Sequence, residues 1–318
     1  MKRCRAAGLV FVFLLSACSG LMTAEEESPL PTSTTQITSA PAVTEGTPEL
    51  TATALPSSTA QINSCLEASG RVETYEIPWK EEILTGRIYL PPCYGQDPDL
   101  EYPTLYMLHG ATETDLHWDD LGLDEWADTL ILEKEISPLI IIMPREITWI
   151  ILPENPFGDH LITAIIPWID NHYQTLENRA FRAIGGMSRG GNWAVRLGLL
   201  HWGLFGHIGA HSTPLFIGDL SRVPDWMEII PSSQTPRILI DIGEDDTNLA
   251  NAQSLHEYFI SQEIPHEWRL YPGLHDEHYW RSHLEEYLKW YSAGWSEKLA
   301  TIITSKSKED SNENTNIY

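Results

Sequence analysis

The chain carries little positive charge. Its 318 residues include 20 lysines and arginines against 45 aspartates and glutamates, which gives a formal net charge of −25 at pH 7. Because a surface of this sign repels phosphate backbones, nucleic acid is not an expected partner. It also repels anionic lipid headgroups, so contact with a membrane would require a separate anchor.

Long hydrophobic runs are also scarce. The apolar run of residues 9–15 is too short to remain in a bilayer as a spanning helix. It follows Lys2, Arg3 and Arg5, and a basic segment before a short apolar run is typical of a signal peptide. We therefore predict a signal peptide at residues 1–17.

The end of this run suggests lipid attachment. The tetrapeptide Leu15-Ser16-Ala17-Cys18 resembles a bacterial lipobox. That resemblance implies cleavage before Cys18, a lipid on its thiol and an extracytoplasmic protein anchored to the cell membrane, since two or more acyl chains give stable anchoring. The alternative is an ordinary secretory signal in which the cysteine is incidental.

Cysteine is rare, with four in the chain. Cys4 and Cys18 belong to the predicted signal and lipid site, which leaves Cys65 and Cys93 in the mature protein. Two cysteines in an exported protein favour one disulfide, which here would close a loop of about 28 residues. Two free thiols are the less favoured alternative outside the cytosol.

The composition divides the rest of the chain into three parts. Residues 18–62 are rich in Ser, Thr, Pro and Ala without periodicity, which predicts a flexible tether. Residues 63–298 are long enough for one large domain, and no internal repeat is visible. Residues 299–318 form a polar tail that we expect to be disordered.

Within the domain, strand-like and helix-like segments alternate, which predicts an α/β fold with a mostly parallel central sheet and helices on both faces. Residues 71–77 and 85–90 are expected to pair as an antiparallel edge. The predicted helices lie near 122–135, 156–173, 190–201, 249–262 and 277–294.

The most informative motif is a Gly-x-Ser-x-Gly pattern centred on Ser188. An apolar strand-like segment, 181–184, precedes it and a helix-like segment, 192–200, follows it. This order predicts a nucleophile elbow, in which the serine hydroxyl is exposed at the start of a helix. The alternative is a glycine-rich turn with an idle serine.

Two later segments could complete a catalytic triad. A buried strand is predicted at 236–243, followed by the acidic cluster Glu244, Asp245 and Asp246. A second strand, 266–271, leads into a loop that carries His275. The chain order Ser188, Asp246, His275 is that of α/β-hydrolases.

These residue types suit nucleophilic catalysis. A serine hydroxyl needs a base to remove its proton, and a carboxylate orients the imidazole that acts as that base. Such chemistry requires neither a metal nor an organic cofactor. The rival is a metal site at His275-Asp276-Glu277-His278, but these residues lack the H-E-x-x-H spacing of a zinc helix.

An oxyanion hole can be placed as well. The predicted strand at 102–108 ends in His109 and Gly110, and the N–H of Ala111 could pair with the N–H of Arg189 to hold an oxyanion. We interpret His109 as a structural residue that supports this loop.

The ordered set of motifs over residues 70–295 resembles the putative esterase (esterase D-like) family of α/β-hydrolases. The family includes feruloyl and acetyl-xylan esterases, enterochelin esterases, S-formylglutathione hydrolases and the antigen 85 mycolyltransferases. The residues that carry the resemblance are His109-Gly110, Ile140–Pro144, Ile165–Asp170 with Tyr173, the elbow at Ser188, Phe205–Gly209 and Pro272–Asp276.

The resemblance implies a carboxylic ester hydrolase with an acyl-serine intermediate, acting on acyl esters of carbohydrates or aromatic acids. It also implies Asp246 as the acid, three residues after a strand-ending glycine, with Asp245 and Glu244 as alternatives. An acyltransferase of the antigen 85 type and a catalytically silent binding lipoprotein are the other functions considered.

The chain has 12 tryptophans. Trp118, Trp149 and Trp280 could line an acyl or aromatic pocket near the predicted triad, but packing in the core and at the surface is the simpler interpretation.

Overall fold

The computed structural model describes residues 68–147 and 155–299. This part of the chain covers most of the predicted domain. The predicted signal peptide, Cys18, the tether, Cys65 and nearly all of the predicted tail lie outside the described residues, so the predicted boundaries stay predictions.

In the described part of the chain, eight strands form one sheet. They are β1 (Arg71–Trp79), β2 (Glu82–Leu90), β3 (Thr104–Leu108), β4 (Ile140–Pro144), β5 (Arg182–Met187), β6 (His207–His211), β7 (Arg237–Gly243) and β8 (Glu267–Tyr271). Their spatial order is β1-β2-β4-β3-β5-β6-β7-β8. β1 pairs antiparallel with β2, and β2 pairs antiparallel with β4. All other pairs are parallel.

Helices connect these strands. They are α1 (His117–Asp120), α2 (Leu123–Leu132), α3 (Phe157–His160), α4 (Ile166–His172), α5 (Arg189–Leu200), α6 (Val223–Glu228), α7 (Leu249–Ser261), α8 (Glu277–Ser282) and α9 (Leu284–Ser292). Single 3-10 turns lie at Arg179–Phe181 and Ser232–Gln234. None of the helices described is both long and apolar enough to cross a membrane.

The sheet separates two apolar cores. Along β4, Ile140 and Ile142 pack into one core and Ile141 into the other, because successive side chains of a strand point to opposite faces. Strands β3 to β6 are buried along their whole length, as expected for parallel strands covered by helices on both faces. The α/β fold predicted from the sequence is therefore confirmed.

Two predicted helices are interrupted. A π-helical turn at Leu161–Ile165 joins α3 to α4, just before Pro167, which has no N–H to continue the regular hydrogen-bond pattern. The helix expected at 277–294 breaks at His283, where the imidazole Nδ1–H donates to the carbonyl of Tyr279 at 2.7 Å. The short helices α1 and α6 were not predicted.

Candidate active site

The turn between β5 and α5 holds Ser188 in a strained conformation. Its backbone has φ 51° and ψ −116°, a conformation that residues other than glycine rarely adopt. A Cβ on Gly186 would lie 2.6 Å from the carbonyl oxygen of Leu108, and one on Gly190 would lie 2.2 Å from the same atom. The two glycines therefore let the turn pass directly against the end of β3.

The structure brings the three predicted triad residues together. The Oγ atom of Ser188 lies 3.0 Å from Nε2 of His275, and Nδ1 of His275 lies 2.9 Å from Oδ2 of Asp246. Each residue follows the carboxyl end of a parallel strand, β5, β7 or β8, where the crevice of such a sheet forms. The geometry allows Ser188 to donate to a neutral imidazole whose Nδ1–H donates to Asp246.

Among the acidic cluster, Asp246 is the residue that faces the histidine. It is buried, and its second carboxylate oxygen accepts the backbone N–H of Asn248 at 2.7 Å. Glu244 and Asp245 are exposed. The side-chain nitrogen of Asn248 also lies 3.2 Å from His275 Nδ1, so Asn248 packs beside the imidazole without accepting from it.

The three tryptophans considered for an acyl or aromatic pocket lie in different surroundings. The Trp280 ring is buried and meets the His275 ring edge-on, with centroids 5.1 Å apart. Trp118 is a core residue whose indole N–H donates to the carbonyl of Leu108 at 3.0 Å. Trp149 lies outside the described residues. Trp280 therefore limits the motion of the histidine, while Trp118 supports the end of β3.

The segments that carry the predicted oxyanion donors are neighbours. Leu108 at the end of β3 pairs in register with Gly186 near the end of β5. Ala111 lies three residues after the end of β3, and Arg189 is the first residue of α5, where helix N–H groups point toward incoming negative charge. Both positions lie at the same edge of the sheet as Ser188, and their role stays a prediction.

His109 supports this loop from within. It is buried, and burial lowers the pKa of its imidazole. Its Nδ1–H donates to the carbonyl of Gly110 at 2.8 Å, and its Nε2 accepts the N–H of Glu146 at 2.9 Å. Both ring nitrogens are thus occupied in holding the loops after β3 and β4.

Glu146 is a site residue that the sequence reasoning missed. Its buried side chain accepts from the Arg189 guanidinium at 2.6 and 2.8 Å and from the Asn155 amide at 2.9 Å. The ion pair ties the loop after β4 to the first residue of α5. A lone acidic residue at the start of the apolar segment 146–153 was the available signal.

A cleft of about 470 Å³ lies beside Asn155, and none of the triad residues lines it. Asn155 forms part of its wall and donates to Glu146 behind it. The rest of the lining is mostly apolar, with a few charged groups. The lining residues are Glu82, Ile83, Leu84, Thr85, Arg145, Ile147, Asn155, Pro156, Phe157 and His160.

The remaining predicted sites are less fully described. Cys93 is disulfide-bonded, while its predicted partner Cys65 lies outside the described residues. Glu277 and His278, which the metal alternative requires, are exposed side chains. In the described ranges, no group of three or more His, Cys, Asp or Glu side chains is arranged to hold a metal ion.

The chain is similar in sequence to known esterases. Residues 154–291 match the family model described as "Putative esterase". An endo-1,4-beta-xylanase/feruloyl esterase of Xylanibacter ruminicola is 28% identical over 166 residues, which are 48% of this chain and 23% of that protein. An esterase of Mycobacterium tuberculosis is 28% identical over 171 residues, 50% of this chain and 35% of that protein. The chain thus spans about a third or less of the length of these relatives.

Solved structures show the same fold. A ferulic acid esterase superposes with a TM-score of 0.63 at 24% identity, over 71% of this chain and 99% of that one. The feruloyl esterase module from Clostridium thermocellum complexed with sinapinate gives a TM-score of 0.62 at 18% identity, over 71% and 89%. The α/β-hydrolase fold and the resemblance to the putative esterase family are therefore confirmed.

Proposed function

We propose that the chain is a serine carboxylic ester hydrolase in which Ser188, His275 and Asp246 form the catalytic triad. One observation carries the proposal: a strained serine at the start of a buried helix has its Oγ 3.0 Å from an imidazole that is itself 2.9 Å from a buried carboxylate. An idle serine in a glycine-rich turn would not need this arrangement.

The reaction follows from these contacts. His275 Nε2 takes the proton of the Ser188 hydroxyl as the oxygen attacks the ester carbonyl. The imidazolium is stabilised by Asp246 and returns the proton to the alcohol that leaves, which gives an acyl-serine. Water then attacks the acyl group with the same base. The N–H groups of Ala111 and Arg189 would hold the oxyanion in both steps.

For the substrate, we propose an acyl ester of a carbohydrate or of an aromatic acid. Support comes from relatives named as feruloyl and xylan-directed enzymes and from a structural neighbour complexed with sinapinate.

For the location, we propose export and anchoring to the membrane through a lipid on Cys18. The support is the lipobox-like sequence at Leu15–Cys18 and the tether that follows it. Expression of the full chain with a labelled fatty acid should give a labelled, membrane-bound protein. Cys18→Ala should abolish the label, and retention of the label would contradict the proposal.

The activity is tested with a fluorophosphonate, which reports an activated serine without a known substrate. The full chain and its Ser188→Ala variant are treated together and analysed by intact mass. One adduct on the parent that is absent from the variant is expected. A folded parent without an adduct would instead favour the silent binding lipoprotein.

The substrate class is tested with methyl ferulate and 4-nitrophenyl acetate, each with and without a sugar alcohol as acceptor. Release of free acid from methyl ferulate supports the aromatic class. Transfer of most of the acyl group to the sugar alcohol would contradict the hydrolase assignment and identify an acyltransferase. Cleavage of the acetate alone would contradict the aromatic class and leave acetylated carbohydrate as the substrate to test.

A further inference from the structure

Behind the candidate nucleophile lies a second histidine–carboxylate pair that the reaction above does not use. His211 ends β6, Asp241 lies opposite it on β7, and both side chains are fully buried. His211 Nδ1 is hydrogen-bonded to Asp241 Oδ1. Buried ionisable groups are costly unless fully satisfied, so a pair at this position calls for an explanation.

Three tyrosine hydroxyls satisfy the pair. Tyr279 and Tyr287 donate to Asp241 Oδ2 at 2.9 and 2.7 Å, and the Tyr291 hydroxyl lies 2.8 Å from His211 Nε2. The Tyr287 ring also stacks on the imidazole, with centroids 3.8 Å apart. Burial alone would raise the pKa of the Asp241 carboxyl, but His211 and the two donating hydroxyls outweigh it, and the pKa lies below its usual range.

Two glycines on neighbouring strands leave the space that the Tyr291 hydroxyl occupies. Gly185 and Gly209 are paired across β5 and β6, and a Cβ on either would lie within 2 Å of the Tyr291 hydroxyl, at 1.6 and 1.8 Å. A phenylalanine at position 291 would need less space here than the tyrosine, because it lacks the hydroxyl. The two glycines therefore admit the Tyr291 hydroxyl, which lies beside His211 Nε2.

The cluster contacts the nucleophile through one hydrogen bond. The N–H of Ser188 donates to the carbonyl of His211 at 2.8 Å. Because the His211 ring is held at both nitrogens and on one face, this carbonyl has a fixed position. The bond holds the strained turn at the residue whose hydroxyl must point at His275.

The cluster is also linked to the segment that carries His275. Tyr279 belongs to α8, which begins two residues after His275 and is capped by the Asp276 carboxylate, which accepts the Tyr279 N–H at 3.0 Å. The Tyr279 hydroxyl therefore ties this helix to Asp241 on β7, five residues before Asp246 on the same chain segment. One buried group thus connects the segments that carry all three triad residues.

We propose that the His211–Asp241 pair positions the nucleophile, by fixing the carbonyl that accepts the Ser188 N–H. These are positioning residues, since neither touches the substrate. The inference rests on the proposed esterase function and adds to it the residues that set the angle of attack. A misplacement of an attacking atom by about 1 Å can lower a rate by on the order of 100-fold.

The test compares tyrosine-to-phenylalanine variants of the full chain. Tyr291→Phe and Tyr279→Phe each remove one oxygen from the cluster and leave the ring. Tyr106→Phe is the matched control, because Tyr106 is also fully buried and its hydroxyl has no hydrogen-bond partner among the described residues. Thermal melting defines the temperature below which every variant is folded.

Two rates are measured on folded protein: phosphonylation of Ser188 by a fluorophosphonate, and kcat and KM for 4-nitrophenyl acetate. We expect Tyr291→Phe and Tyr279→Phe to lower the phosphonylation rate and kcat by about 10-fold or more with KM unchanged, while Tyr106→Phe keeps the parental rates. A lower melting temperature with parental rates in both cluster variants would overturn the proposal. A parent that does not react would overturn the esterase function, and this inference with it.

Discussion

The carboxylate of Glu146 lies 2.6 Å from Nη2 of Arg189, the residue that follows the candidate nucleophile. Both side chains are largely shielded from water, so the pair is not a weak surface ion pair. It connects the loop after β4 to the start of α5 and so fixes the N–H group that we assign to the oxyanion hole.

Replacing this carboxylate should impair catalysis more than folding. Glu146→Gln keeps a hydrogen-bond acceptor but removes the negative charge of Glu146 that faces the guanidinium, and kcat/KM for 4-nitrophenyl acetate should fall by about 10-fold. Glu285→Gln is the control, because Glu285 pairs with Lys289 at 2.7 Å on the exposed side of α9. Equal activity of the two variants would contradict the role of Glu146.

The triad assignment predicts graded losses. Ser188→Ala or His275→Ala should lower kcat by about 1,000-fold or more, because each removes a group that acts in the bond-making step. Asp246→Ala should cost less than these two but far more than Asp245→Ala, whose side chain is exposed. Steady-state kinetics on purified variants check this order. Small and equal losses at 245 and 246 would overturn the choice of acid.

The contact between Gly185 and Tyr291 predicts a stability effect. A Cβ at position 185 would lie 1.6 Å from the Tyr291 hydroxyl, so Gly185→Ala must displace the ring and should lower the free energy of unfolding by about 1–3 kcal/mol. Gly203→Ala provides the control, since nothing lies within 4 Å of its Cβ position. Urea titration of both variants measures the difference, and indistinguishable midpoints would contradict the packing described here.

A buried histidine predicts a pH dependence of stability. Burial lowers the pKa of His207 from 6.5 to about 3, and Arg237 nearby acts in the same direction. Between these values the unfolded chain binds a proton that the folded chain does not, so stability falls as the pH falls through this window. One such site contributes a slope of about 1.4 kcal/mol per pH unit.

The measurement is the free energy of unfolding in urea at several pH values, for the parent and for His207→Phe. The aromatic replacement keeps a ring between Trp290 and Trp295, whose centroids lie 6.0 and 5.7 Å from that of His207. The slope of the variant should be smaller by the contribution of one proton. Equal slopes would show that His207 is protonated in the folded state.

The parallel sheet and the nucleophile elbow could be predicted because their signals are local. The Gly-x-Ser-x-Gly turn between a strand and a helix fixes its own geometry, and Asp246 and His275 follow strands that are recognisable from their apolar residues. The chain order then places all three at one edge of the sheet. The antiparallel edge pair was predicted for the same reason, from alternation within each strand.

The supporting residues could not be predicted because their signals are not local. Glu146 and Arg189 are 43 residues apart, and His211 and Asp241 are 30 residues apart, so each pair forms only after the strands are in register. The break at His283 depends on a side chain bonding back to the helix. Helix propensity alone carries no sign of such a contact.

The space between Gly185 on β5 and Gly209 on β6, which holds the Tyr291 hydroxyl, makes substitutions at these three positions depend on one another. A tyrosine at 291 requires glycine at both 185 and 209, and an alanine at either is compatible only with a shorter side chain at 291. An alanine at 185 or 209 therefore avoids the clash only in a protein where residue 291 has already been shortened. Among relatives the three should change together, and where the tyrosine is lost, the requirement for glycine at both positions should disappear with it.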